Sequence, residues 1–273
     1  MALNAKISTY DVGNALALAQ ASQLAYQDSG AIRAGIAAIT GGTLRDFKFL
    51  NSTETDTQAF MAAFDDAVLL CFRGTQNRLA DWLSDTNVVL VPFRRIGLVH
   101  KGFRDALDSV YPDIEATLKQ WSGQGRTLWI TGHSLGGALA LMAAAYLRFP
   151  ADPTKTVPRP IAGLYTYGQP RVGTPDFCDV SQANFGSSYF RFVNKDDIVT
   201  RVPPRELAYW HGGHDRYINH QGVIQEDPVW WQIVLDRVKA GIGALRQLQV
   251  TRPVTDLIAD HAIADYIKAI GGK

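Results

Sequence analysis

The spacing of apolar residues changes period several times along the chain, and those changes outline its elements. Asp11 to Tyr26 is rich in alanine and leucine, with Leu16, Ala19 and Leu24 at loose helical spacing, which predicts a helix. After Gly41-Gly42 come FKFLN, TQAFMAAF and AVLLCF, three strand-like runs, the last two joined by a tight turn at Asp65-Asp66. A β-meander running into FRGT is expected there. From Phe103, the positions Ala106, Leu107, Val110, Ile114 and Leu118 follow the i, i+3, i+4 rule of one amphipathic helix, which Pro112 should kink and SGQG should end.

TLWIT then reads as a central strand, and Ala138 to Phe149 as a strongly favoured helix. GLYTYGQP and SYFRFVN are further strands, separated by a segment whose Thr174-Pro175 suits a helix start. Strand, helix, strand order requires crossover connections, so the expected fold class is α/β with a largely parallel central sheet flanked by helices.

Between TLWIT and its helix the crossover is only Gly132-His133-Ser134-Leu135-Gly136-Gly137. So sharp a turn strains the residue at its apex and needs small residues two before and two after it, where Gly132 and Gly136 stand. Ser134 is thereby presented above the sheet at a helix N-terminus, where the helix dipole and free N–H groups favour developing negative charge. Those are the requirements of a serine nucleophile. A phosphate loop of the Walker type would need lysine and Ser or Thr after its last glycine, but Ala138 follows Gly137.

Composition narrows the remaining classes. The 273 residues are 47% hydrophobic and 19% charged, enough to bury the core of one α/β domain over 1–273, and no linker favours two. A net charge of +1 without a dense basic block excludes a general attraction to nucleic acid. No apolar window reaches the ~18 residues of a membrane span. The first residues lack the basic flank and apolar core of a secretory signal, so a cytoplasmic, mature or non-classically exported chain is expected. Cys71 and Cys178 cannot form a disulfide framework, and Cys71 within AVLLCF reads as a small core residue. Neither metal-ligand spacing nor a dinucleotide fingerprint is visible, so no cofactor is expected.

A nucleophile needs a base and an acid. Asp196 and Asp197 both follow a strand, and alternation sends them to opposite sides, so one of the two is expected to orient the base. The order Ser, Asp, His leaves His211, His214, His220 and His261 as bases. At this point the chain resembles the fungal-type class 3 triacylglycerol lipases, which are α/β-hydrolases. The resemblance rests on FRGT, GHSLGGALA, YGQPRVG, FVNKDDIVTRVPP and DH at Asp260-His261, in that order over roughly Asp56 to Tyr266.

The resemblance implies Ser134, Asp197 and His261 as the triad, with His100 and His211 in supporting positions, while the geometry of the elbow is expected to point His133 elsewhere. It further implies an oxyanion hole from the backbone of Leu135 and Thr75, with Arg73 anchoring the loop. A lid over 76–93 is implied too, where Leu79, Trp82 and Leu83 share one helical face. The implied activity is hydrolysis of acylglycerol or other fatty-acyl esters through an acyl-enzyme, with transient contact at a lipid interface. Short-chain or aryl esters, phospholipids, acyl transfer to an alcohol and a non-catalytic binding scaffold are the alternatives. The chain departs from the family in lacking the disulfides of the secreted enzymes and in a long stretch before His261. There Trp230, Ile233, Val234 and Val238 at helical spacing suggest a helix within 228–246, which is expected to pack on the core, with a cap over the acyl cleft or an interfacial membrane contact as the alternatives.

Overall fold

The computed structural model describes residues 2–74, 88–121, 125–152, 160–239 and 259–272. Its first helices are α1 (Val12–Leu24) and α2 (Ser29–Thr40). The meander follows as β1 (Asp46–Ser52), β2 (Thr57–Ala63) and β3 (Ala67–Phe72), then a small hairpin of β4 (Leu90–Pro92) and β5 (Leu98–His100). Next come α3 (Lys101–Asp108), α4 (Tyr111–Gln120), β6 (Thr127–His133), α5 (Leu135–Arg148) and β7 (Ile161–Tyr167). The described chain closes with α6 (Pro175–Phe185), β8 (Tyr189–Asn194), β9 (His214–Ile218), β10 (Ile224–Glu226), α7 (Trp230–Lys239) and α8 (Ile263–Ile270).

One sheet, ordered β1-β2-β3-β6-β7-β8-β9-β10, runs through the molecule. The pairs from β3 to β9 are parallel, and antiparallel pairs stand at both edges. Parallel strands buried on both faces read as nearly continuous apolar runs, and β3 shows why. Val68, Leu70 and Phe72 pack on one face with Leu139 and Met142 of α5 and Phe103 and Leu107 of α3. Leu69 and Cys71 pack on the other with Leu18 of α1, Ile36 of α2 and Tyr266 and Ile270 of α8. Cys71 is thus a core residue, and both cysteines are free and buried.

Where the pattern predicts one helix from Phe103 to Leu118 there are two. Pro112 has no N–H to give and its ring would strike the carbonyl one turn back, so α3 stops at Asp108 and Pro112 takes the first turn of α4. The sequence reading also passes over α2. Its signals are the Asp28 cap, which accepts from Ala31 N at 3.0 Å, and Gly41 in the left-handed region at φ 70°.

The carboxyl ends of β3, β6, β7 and β8 lie side by side, with Phe72 paired to Gly132, His133 to Tyr167 and Tyr167 to Phe192. The turns beyond these ends carry Gly74, Ser134, Gly168 and Asp197, which puts the chemistry on the edge where open α/β sheets bind ligands.

Candidate active site

The turn from β6 into α5 is built as its spacing demands. Ser134 adopts φ 59°, ψ −131°, a conformation L residues rarely hold, and its backbone is pinned at both sides. Its N–H donates to Tyr167 O at 2.9 Å, and its carbonyl accepts from Gly137 N at 2.9 Å. A Cβ on Gly132 would lie 2.2 Å from Gly136 O, and one on Gly136 would lie 2.3 Å from Phe72 O. Strand and helix can therefore approach this closely only with glycine at both places. Leu135 opens α5, so its N–H is one of the helix's unsatisfied N-terminal donors and lies beside the serine.

Asp197 follows β8, is fully buried, and accepts from three groups. Its Oδ1 takes Val199 N–H at 2.9 Å, and its Oδ2 faces His261 Nδ1 at 2.9 Å and also accepts from the Tyr266 hydroxyl. Burial, then the adjacent Asp197 charge, push the Tyr266 hydroxyl well above its ordinary range, so it remains a donor. Because a carboxylate only accepts, the proton facing Asp197 is on Nδ1, and the tautomer so fixed has its lone pair on Nε2. Nε2 of His261 and Oγ of Ser134 are both buried and lack a hydrogen-bond partner among the described residues.

Of the four histidines that follow Asp197, His261 is the one whose ring faces it. The ring nitrogens of His211, His214 and His220 instead meet Thr200 O at 2.6 Å, Asp227 at 2.8 Å and Asp236 at 2.7 Å. Asp196 points away from Asp197 and pairs with Arg201 at 2.7 Å. His100 is buried with its ring 4.5 Å from that of Phe103. Arg73 holds its loop to β2, its N–H reaching Gln58 O at 3.0 Å and its guanidinium the Gln58 side chain.

Two neighbours of the site were not legible in the sequence. Tyr266 was visible only as an aromatic in the apolar stripe of the last helix, yet its hydroxyl reaches Asp197 and also accepts from Asn194 N at 3.1 Å. His133, expected to face elsewhere, packs its ring 4.4 Å from that of His261. His133 Nε2 lies 2.7 Å from the His261 carbonyl, and Nδ1 lies 2.8 Å from the Tyr26 hydroxyl at the end of α1. The carbonyl can only accept, so the proton is on Nε2 and Nδ1 accepts from Tyr26. Burial, then the nearby His261, hold His133 well below the ordinary histidine range and keep it neutral. The residue beside the serine therefore grips the backbone of the histidine.

Thr75 and the lid positions Leu79, Trp82 and Leu83 lie outside the described residues. The helix expected within 228–246 is present as α7, where Trp231 and Leu235 are exposed and Asp236 is buried. Among the described residues no cluster of His, Cys, Asp and Glu is arranged to hold a metal ion, and no helix is long and apolar enough to cross a membrane.

A largely parallel sheet, crossover helices and a strained serine elbow at the strands' carboxyl ends define an α/β-hydrolase. Comparison with known proteins narrows the class. The family model described as "Lipase (class 3)" matches residues 69–207, about half of the chain, and the protein belongs to that family. The lipase of Rhizomucor miehei is 34% identical over 186 residues, covering 63% of this chain and 49% of that protein. Secreted mono- and diacylglycerol lipase A of Penicillium cyclopium is 33% identical over 185 residues, covering 66% of this chain and 57% of its own length. The chain thus spans about half the length of the curated relatives it matches. Among solved structures, the triacylglyceride lipase of Rhizomucor miehei superposes with a TM-score of 0.63 at 28% identity, over 77% of this chain and 81% of that one. A crystal structure from Penicillium cyclopium gives 0.64 at 26% identity, over 96% and 95%.

Proposed function

We propose that the protein is a serine carboxylic ester hydrolase of the lipase type, with Ser134 as nucleophile, His261 as base and Asp197 as the acid that orients it. One observation carries the reading. Asp197 holds the Nδ1 side of His261, while Nε2 of that ring and the Ser134 hydroxyl at the apex of a strained elbow are both buried and unpartnered among the described residues.

In the reaction, Nε2 of His261 takes the Ser134 proton as Oγ attacks the ester carbonyl carbon, and Asp197 stabilises the imidazolium that forms. The tetrahedral oxyanion is met by the N–H of Leu135, joined in this reading by Thr75. Loss of one such donor typically lowers turnover on the order of a hundredfold. The alcohol leaves with the proton from His261, and water, activated by the same nitrogen, releases the acid from the acyl-enzyme.

Relatives that bear the names lipase and mono- and diacylglycerol lipase favour fatty-acyl glycerol esters as the substrate class, met at a lipid surface. The lid, expected over 76–93, belongs to this proposal over 76–87, since Leu90–Pro92 pair as β4 with β5 and Phe93 is buried in the core, as does a single domain over 1–273. A continuous sheet joining all the strands from β1 to β3 and β6 to β10 supports the single domain.

The test is hydrolysis of p-nitrophenyl esters of two to sixteen carbons, dispersed and emulsified. The wild type should hydrolyse them, and Ser134→Ala and His261→Ala should each lose at least about a thousandfold in kcat. A Ser134→Ala variant as active as the wild type sinks the proposal. A rate that rises on emulsification of long-chain esters assigns a lipase, and a short-chain optimum without that rise assigns a soluble-ester esterase.

A further inference from the structure

Behind the site lies a second histidine–carboxylate arrangement that the reaction does not use. His220 stands in the turn between β9 and β10, which the Asn219 side chain organises by accepting from Gln221 N at 3.0 Å and Val223 N at 2.9 Å. Nδ1 of His220 faces Asp236 Oδ2 of α7 at 2.7 Å, and its Nε2 faces Asp196 Oδ2 at 3.3 Å. The His220 backbone N–H also donates to Asp236, at 3.2 Å, and the Tyr217 hydroxyl donates to it at 2.9 Å. Burial alone would raise the Asp236 carboxyl, but the hydrogen bonds from His220 and Tyr217 outweigh it and hold the group below the usual carboxylate range.

Carboxylates only accept, so the hydrogen bond to Asp236 places a proton on Nδ1, and Nε2 stands at ion-pair distance from Asp196. The ring sits among Asp196, Asp236 and Asp260, with Arg201 on Asp196 at 2.7 Å and Lys195 near Asp260 at 3.7 Å. Asp196 precedes Asp197 and Asp260 precedes His261, so the cluster backs onto both chain segments of the Asp197–His261 pair. The turn is also tied to β9 directly, through Lys195 N to Ile218 O at 2.8 Å.

We propose that His220 is a positioning residue: bridging Asp236 and Asp196, it clamps α7 to the turn that carries Asp197 and so fixes the acid against His261. The proposal rests on the triad reading above. It assigns the unusual stretch before the last helix a task in the reaction, since α7 is the anchor against which the turn is held.

Isosteric variants separate the two halves of the clamp. In His220→Asn the side-chain amide takes the place of Nδ1 and reaches Asp236 only, whereas in His220→Gln it extends toward Asp196. With a short soluble ester, His220→Ala should lose on the order of tenfold in kcat at unchanged KM, the size of effect a slightly misplaced group produces. His220→Gln, which keeps the backbone N–H on Asp236 and regains the side-chain contact with Asp196, should restore most of that kcat. His220→Asn should recover the melting temperature but not the kcat. Amide exchange of the 194–198 segment should quicken in the Ala and Asn variants and return toward wild type in Gln. Full kcat in a folded His220→Ala, or a kcat that follows melting temperature through all three variants, overturns the proposal. If the wild type hydrolyses no ester, the triad reading fails by itself, and exchange at 194–198 still decides the clamp: unchanged exchange in His220→Ala refutes it.

Discussion

At the scale of single residues, the site is made by a few atoms with little freedom. Gly168 follows β7 at φ 59°, and a Cβ there would lie 2.7 Å from His261 Cε1 and 2.9 Å from Asp197 Oδ2. Gly168→Ala should therefore displace the ring as well as strain the backbone. Steady-state kinetics should show kcat lower by on the order of a hundredfold with the protein still folded, and a variant retaining wild-type kcat would show that the pair tolerates movement. Tyr266→Phe removes one donor from the buried Asp197 while leaving the ring packed in the core. Lost hydrogen bonds to buried charged groups cost about 1.5–3 kcal/mol, so chemical denaturation should find the variant less stable by that order. Residue identity alone could propose Ser134, because Gly132 and Gly136 suit a sharp elbow and Ala138 does not suit a phosphate loop. It could not separate Asp196 from Asp197, which are identical in chemistry and adjacent in sequence. What distinguishes them is the direction each takes beyond β8, one toward Arg201 and the other toward His261.

At the scale of elements, the helices work as struts whose ends meet the site. α1 delivers Tyr26, which fixes His133, which in turn holds the His261 carbonyl. α8 delivers Tyr266 to Asp197. Caps show which local signals matter: Asp11 accepts from Asn14 N at 2.8 Å at the start of α1, and Asp28 does the same for α2. Replacing Asp28 by alanine should cost about 1 kcal/mol in urea unfolding, with ester kinetics unchanged because α2 carries no group of the site. A cost near zero would mean that packing of Ile32 and Ile36 alone holds α2. Strands and the long helices were readable because burial on one or two faces imprints a period. α2 buries only Ile32, Ile36 and Thr40, one residue per turn in a short run of small residues, and the split at Pro112 depends on whether the chain bends or breaks, which its neighbours decide.

At the scale of the whole molecule, the segments that meet at the carboxyl end of β6 seal His133 against Tyr26, His261 and Tyr266, 5% exposed and neutral. Unfolding releases it to water, where it gains a proton near its ordinary range of about 6.5. Its folded pKa is depressed, so below about pH 6.5 the unfolded chain binds more protons and stability falls as the pH falls. The slope from this one group is at most about 1.4 kcal/mol per pH unit. Urea titrations between pH 7 and pH 5 should show wild-type stability declining, and His133→Gln, with no ring to protonate, declining less steeply. Equal slopes would place the acid sensitivity in other groups.

The sequence by itself determined the alternation that builds the sheet, the elbow at Ser134 and the resemblance that singles out Asp197 and His261. Each of these is written in local spacing or in short motifs, where neighbours along the chain set the geometry. Only the tertiary structure decided that His133 grips the His261 backbone, that Tyr266 reaches Asp197, and that His220 joins α7 to the turn beside Asp197. Those contacts join residues 16 to 128 positions apart. No periodicity records such pairings, because they arise only when crossover connections bring the strands' carboxyl ends to one edge.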